Sequence, residues 1–296
     1  MNKVIINILR QAADTLTFGN FFIALCAASL VVETYLLLGH PPVVDGLTYF
    51  VFFSTLALYN FHRLNGIRRI RPEDQGLITG WAARHRFSLL MLVIIGIGGA
   101  GIFVFQLFNR PRILFLLVPL AAVSIFYELP LVRYQKEFER IRNLWLSKAF
   151  LITTVWAITT ALLPAINIRF SLRDHHVWMV VIERLIFIFI LALCFDARDV
   201  EFDRSDHLKT IPIVYGAKKT MALYKIFSIL FLVITFIHYV IMVHQWKTEI
   251  AMVVSCALTY ILVSRTNPRR SDYYYMFGVD GMMLVQFLLT WLLSRI

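Results

Sequence analysis

The residues most able to do chemistry lie in one stretch, Asp196-Ala-Arg-Asp199-Val-Glu-Phe-Asp203-Arg-Ser-Asp206, followed by Lys209-Thr210. Asp196, Asp199 and Asp203 are spaced i, i+3, i+7, so a continuous helix puts three carboxylates on one face. Like charges stacked this way repel, and the arrangement asks for a counter-cation. A hard divalent ion with oxygen ligands suits it, and Mg2+ keeps coordination places for water and phosphate oxygens. Arg198, Arg204 and Lys209 interleave with the acids and can grip a polyanion directly. The plainer alternative is a solvated loop held by Arg–Asp pairs.

The elements that must position these groups are set by composition. Of the 296 residues, 59% are hydrophobic and 16% charged. An ordinary soluble domain is about half apolar and about a quarter charged. A soluble core of this length would leave large apolar patches in water, so lipid is the solvent that fits. A bilayer-spanning helix needs about 20 mostly apolar residues. Runs of that kind occur at Leu16–Leu38, Gly46–Leu64, Phe87–Phe108, Ile113–Tyr127 and Leu144–Pro164. Four more follow at Val177–Phe195, Thr220–Val243, Ile250–Ser264 and Tyr273–Leu293. The expected architecture is all-α: a polytopic membrane helix bundle of about nine transmembrane helices, forming one domain over residues 1–296. The runs are continuous rather than alternating, which argues against barrel strands. The segment before the first run reads as a short amphipathic lead-in at the membrane surface. It lacks the long apolar core and small-residue cleavage site of a signal peptide.

Charge then orients the bundle. With the N-terminus inside, 22 of the 29 lysines and arginines fall on the cytoplasmic side, as the positive-inside rule requires. The longest loops, roughly Asn65–Arg86, Glu128–Asn143 and Ala197–Lys219, lie on that same side. The expected location is the cytoplasmic (inner) membrane, with the chemistry at its cytoplasmic face. The net charge of +11 is thereby a topology signal, and nucleic acid is not an expected partner. Cys26, Cys194 and Cys256 sit in apolar runs without metal or disulfide spacing.

The DxxDxxxD stretch after an even-numbered helix, then Lys209-Thr210 and Gly216 before the next span, resembles the second aspartate motif of the UbiA superfamily of intramembrane prenyltransferases. The resemblance extends through helix count and loop placement. It implies a nine-helix enzyme that binds an isoprenoid diphosphate through Mg2+ and transfers the polyprenyl group to an apolar or aromatic acceptor in the membrane. Asp196, Asp199 and Asp203 are then the metal ligands and catalytic carboxylates. The family's first motif, NDxxDxxxD, corresponds to Asn60-Phe61-His62-Arg63-Leu64-Asn65-Gly66-Ile67-Arg68. Asn60 matches, while Phe61, Leu64 and Arg68 stand where aspartates are usual. Asn60 can still meet a metal or phosphate, and Arg63 and Arg68 can neutralise diphosphate, because guanidinium matches phosphate oxygens in bidentate fashion. Arg198, Arg204 and Lys209 complete the expected substrate contacts.

Two other readings belong beside this one. A divergent member of the same fold could bind lipid phosphates without turnover. A small-molecule or lipid transporter could instead place a midplane site at Glu183, Arg184 and Asp280, ionisable groups that are expensive inside a membrane. Arg184 is expected to pair with Glu183 or Asp280, and Glu33 to snorkel from an outer helix end. His62 and Tyr127 read as interfacial side chains. Gly96, Gly98, Gly99 and Gly101 suggest close helix approach. Aromatic rings lining a cavity can shelter an allylic cation.

Overall fold

The computed structural model describes residues 2–67, 76–127, 132–134, 137–139, 147–205, 208–241 and 246–296. It is a helical bundle whose elements follow the apolar runs. The first half contains α1 (Asn2–Phe18), α2 (Phe21–Leu37), α3 (Gly46–Ile67), α4 (Leu77–Arg84), α5 (Arg86–Gln106) and α6 (Pro111–Phe126). The second half contains α7 (Ser147–Ala157), α8 (Leu163–Asn167), α9 (His175–Arg198), α10 (Val200–Ser205), α11 (Ile211–Ile241), α12 (Trp246–Val263) and α13 (Gly281–Leu293). Six helices are long and apolar enough to cross a membrane, or seven when the bent pair α1–α2 counts as one span. Among the described residues, the shorter apolar α6 and the more polar α3 lie beside these spans. The nine expected runs fall mainly in helices, with turns at Gly19–Asn20, at Asp280 and at several run ends, and residues 144–146 and 242–243 lie outside the described residues. Among the described residues, the exception to the all-helical reading is a three-residue antiparallel pair between α6 and α7, Val132–Tyr134 with Glu137–Glu139.

Several spans are interrupted, and each interruption has a local cause. α1 meets α2 at 57°, turning at Asn20, which takes a left-handed conformation with φ 61°. This bend sets α1 off as the expected lead-in, with Ile5, Ile6, Ile8 and Leu9 exposed. The fifth span passes through a π-helical turn, Ile158–Leu162, between α7 and α8, and the last span opens with another, Tyr274–Val279, before α13. Such turns recur at functional positions because the extra residue re-aims side chains. α11 contains Gly216 at φ 78°, ψ 168°, a left-handed break that glycine adopts without steric cost. The break sets Ile211–Tyr215 apart from the long apolar stretch that follows.

α9 is the central helix, buried along most of its length, and packs chiefly on α11 and α7, with fewer contacts to α12. α3 packs closely on α5. The glycine stripe explains the second contact: a Cβ at Gly96 would lie 2.8 Å from Ala57 Cβ and Phe53 O, and one at Gly99 would lie 2.5 Å from the Phe53 ring. Gly98 and Gly101 face open space. Gly96→Leu is therefore expected to destabilise the fold by roughly 1–3 kcal/mol through overpacking, measured by denaturant unfolding in detergent. Gly98→Leu, on the open face, is expected to change little.

The bundle interior corrects one expectation. Glu33 is fully buried and does not snorkel. Its carboxylate is 2.8 Å from the Arg184 guanidinium. Arg184 thus pairs with Glu33, and not with Glu183 or Asp280, because its long side chain reaches from α9 to Glu33, Thr34 and the Leu30 carbonyl on α2. Gln286 and the Leu30 carbonyl also accept from Arg184, at 3.3 and 3.5 Å.

Candidate functional site at the loop-rich face

The acidic stretch starts at the end of α9, where the helix terminates at Arg198 and resumes as α10. Asp196 and Asp203 are both buried, and they meet on one ammonium group. Lys148 Nζ, from the first turn of α7, is 3.0 Å from Asp196 and 2.8 Å from Asp203. The break between α9 and α10 turns Asp203 back towards Asp196 instead of leaving it further along one continuous helix. Asp199, more exposed, is within electrostatic reach of that ammonium and is held by its neighbour: Arg198 Nε and Nη2 donate to its two oxygens at 2.7 and 3.3 Å. The expected three-carboxylate face is thus split into a lysine-bridged pair and an arginine-held single acid.

Arg198 is fixed from both sides, with its guanidinium 4.9 Å from the Phe195 ring centre and 5.2 Å from that of Tyr275. Its Nη1 is buried without a hydrogen-bond partner. Arg63, on α3, donates through Nη2 to Asn20 Oδ1 at 2.9 Å, and its Nη1 is likewise buried and without a partner. The two guanidiniums lie within electrostatic reach of each other and of Asp272. Burial pushes the half-buried Asp272 carboxyl above its ordinary value, Arg198 and Arg63 pull it back, and Asp199 adds to the rise.

Asn60 is fully buried and is committed to the α1–α2 turn. Its amide donates to Gly19 O at 3.0 Å and Leu56 O at 2.8 Å, and its carbonyl accepts from Asn20 at 2.9 Å. Asn60 therefore positions Asn20, which in turn positions Arg63. Arg204 and Lys209 are exposed, and Arg68 lies outside the described residues. His62 and Tyr127 pack ring against ring, with centres 5.9 Å apart.

Below this polar layer lies an apolar cavity of about 780 Å³ between α3, α5, α6 and α7, within the size range of small-molecule pockets. Phe50, Tyr59, Phe61 and Trp156 put rings on its wall. Trp156 Nε1 donates to Tyr59 OH at 3.2 Å. Tyr59 precedes Asn60 in the chain, so cavity and polar layer share α3.

Sequence reasoning missed Lys148, Asn20 and Asp272 as members of this group. Lys148 had been counted among the topology charges, and its signal was a lone cation in the first turn of an apolar span, a costly placement that needs a partner. Asn20 and Asp272 carry no local signal, since only packing brings them beside Arg63 and Arg198.

Comparison with known proteins bears on the fold and the family. A solved structure described as digeranylgeranylglyceryl phosphate synthase in membranes is 14% identical, covers 96% of this chain and 99% of its own, and superposes with a TM-score of 0.53. That likeness concerns the fold. No curated protein matches. The model of the UbiA prenyltransferase family matches residues 69–279, from the segment before α4 to the last π-helical turn, and includes Lys148 and all three aspartates. With a match over most of its length, this integral membrane chain belongs to the UbiA prenyltransferase family.

Proposed function

We propose that the protein transfers a polyprenyl group from its diphosphate to an apolar or aromatic acceptor within the membrane. One observation carries this reading: Arg63 and Arg198 each bury an N–H group without a partner, close to each other and to Asp272, and α3 carries both Arg63 and one wall of the apolar cavity. Unmet guanidinium donors in a buried setting are costly, and a diphosphate supplies the acceptors they lack. The isoprenoid tail then extends into the cavity.

The donor set suits a hard cation. Asp196 and Asp203 already converge on a positive charge, the Lys148 ammonium, and carboxylate oxygens are the ligands that Mg2+ prefers. Asp196, Asp203 and Asp199 would hold Mg2+, which supplies charge neutralisation for the leaving diphosphate. Arg63 and Arg198 bind phosphate oxygens and stabilise negative charge as the C1–O bond breaks and its electron pair moves to the diphosphate. The rings of Phe50, Tyr59, Phe61 and Trp156 face the allylic cation and exclude water until the acceptor attacks C1. The bias of basic residues supports a site on the cytoplasmic side of the inner membrane, with the N-terminus inside.

A second reading rests on Lys148 itself. With the first-motif acids replaced by Phe61, Leu64 and Arg68, a lysine bridging Asp196 and Asp203 allows lipid-phosphate binding without metal or turnover. Pyrophosphate release decides between them. Purified protein with Mg2+ and a panel of polyprenyl diphosphates and aromatic acceptors is expected to release pyrophosphate, and Asp199→Ala to reduce that release by roughly 10²–10³-fold. Binding of polyprenyl diphosphate in EDTA with no release in Mg2+ establishes the second reading instead.

A further inference from the structure

A second group of ionisable residues lies far from the aspartates. Glu183 precedes Asp196 by thirteen residues on α9, about 20 Å along a helix axis. His238 reaches it from near the end of α11, and Glu249 from the first turn of α12. All three are buried, Glu183 and His238 at 0% and 1% exposure and Glu249 at 4%. His238 Nδ1 is 3.1 Å from each Glu183 oxygen and 3.5 Å from Glu249 Oε1. One ligand atom from each residue falls within 4.8 Å of the other two. His176 stands beside them, its ring centre 4.8 Å from that of His238.

Two carboxylates converge here on one imidazole nitrogen, so with both ionised even a protonated His238 balances only one of them. The neighbouring cation, Arg184, is already taken by Glu33 at 2.8 Å. Both Glu249 oxygens, His238 Nε2 and His176 Nε2 are buried without hydrogen-bond partners. Such groups are stable in an apolar interior only when paired or bound to metal. A tetrahedral ion with bonds of about 2.0–2.1 Å separates adjacent ligand atoms by about 3.3 Å, close to the spacing of His238 Nδ1 from the two carboxylates.

We infer that Glu183, His238 and Glu249, with His176 packed beside them, form a site for a divalent transition metal, best suited to Zn2+, in the half of the bundle remote from Asp196. Mixed imidazole and carboxylate donors select borderline metals over Mg2+. The ion would tie α9, α11 and α12 together and carry a structural rather than a catalytic load. The inference stands independently of the prenyl-transfer reading, since it uses none of those residues.

The test uses the full chain in detergent, stripped with EDTA and titrated with Zn2+ in excess Mg2+, which keeps the acidic stretch occupied. One Zn2+ per chain is expected, with a rise in thermal stability. Glu249→Gln is expected to weaken binding by more than the roughly 10–100-fold that losing a ligand's supporting partner costs, while Asp199→Asn keeps it. Should Glu249→Gln fold poorly, Co2+ bound to the unaltered protein decides: strong visible bands of a low-coordinate nitrogen–oxygen site support the inference. Absence of stoichiometric binding, only the weak bands of octahedral Co2+, or binding lost in Asp199→Asn and kept in Glu249→Gln overturns it.

Discussion

Replacing Lys148 with methionine is expected to destabilise the protein by roughly 3–5 kcal/mol in EDTA, the usual effect of removing one partner from a buried ion pair. Most of that loss is expected to return on adding Mg2+. The physical reason is the geometry of the α7–α9–α10 junction. Lys148 Nζ lies 3.0 and 2.8 Å from two buried carboxylates, with only 12% of its side chain exposed. Without the ammonium, Asp196 and Asp203 repel each other in a poorly solvated space. A divalent cation restores the balance if the two acids form an ion site. Denaturant unfolding of the variant in EDTA and in Mg2+ measures both parts. A loss that Mg2+ leaves untouched would show that these acids do not bind the ion, and would favour lipid-phosphate binding without metal. Lys148→Arg keeps the charge and is expected to retain most of the stability.

The second large effect is expected at Arg184, at the centre of the bundle. Arg184 is 2% exposed and Glu33 is fully buried, and their 2.8 Å contact joins α2 to α9. Arg184→Met strands Glu33 in an apolar interior and is expected to destabilise by roughly 3–5 kcal/mol. Glu33→Met alone strands Arg184 with a similar result. The double replacement removes both charges together and is expected to recover much of the loss, because an apolar pair of similar volume is often as stable as a buried ion pair. A double-mutant cycle of unfolding free energies gives the coupling directly. Strictly additive losses would show that the pair does not act as a unit.

These two sites differ in how far they were legible from sequence. The acids of the α9 exit were plain, because three aspartates at helical spacing beyond a long apolar run are conspicuous. Their division was hidden. Whether Asp196, Asp199 and Asp203 face one way depends on the helix breaking after Arg198, and on a lysine 48 positions before Asp196 arriving at the same point. Glu33 and Arg184 were both visible as ionisable groups in apolar runs, but their partnership was not, since it joins helices far apart in the chain. The glycine stripe was half legible: helical spacing showed a small-residue face, while only the packing of α3 determines that Gly96 and Gly99, and not Gly98 and Gly101, lie in the contact.

By itself the sequence determined the solvent, the helical class and the face on which basic residues gather. Those properties follow from local composition: apolar runs must have their backbone groups satisfied within the segment, and charged loops are excluded from hydrocarbon. Only the tertiary structure decided which charges meet. It placed Lys148 between two aspartates, gave Arg184 to Glu33, left Arg63 and Arg198 with unmet donors close to each other and to Asp272, and gathered Glu183, His238 and Glu249 in the opposite half. Pairing of this kind depends on the rotation and offset of whole helices against one another, and no window along a single helix contains that information.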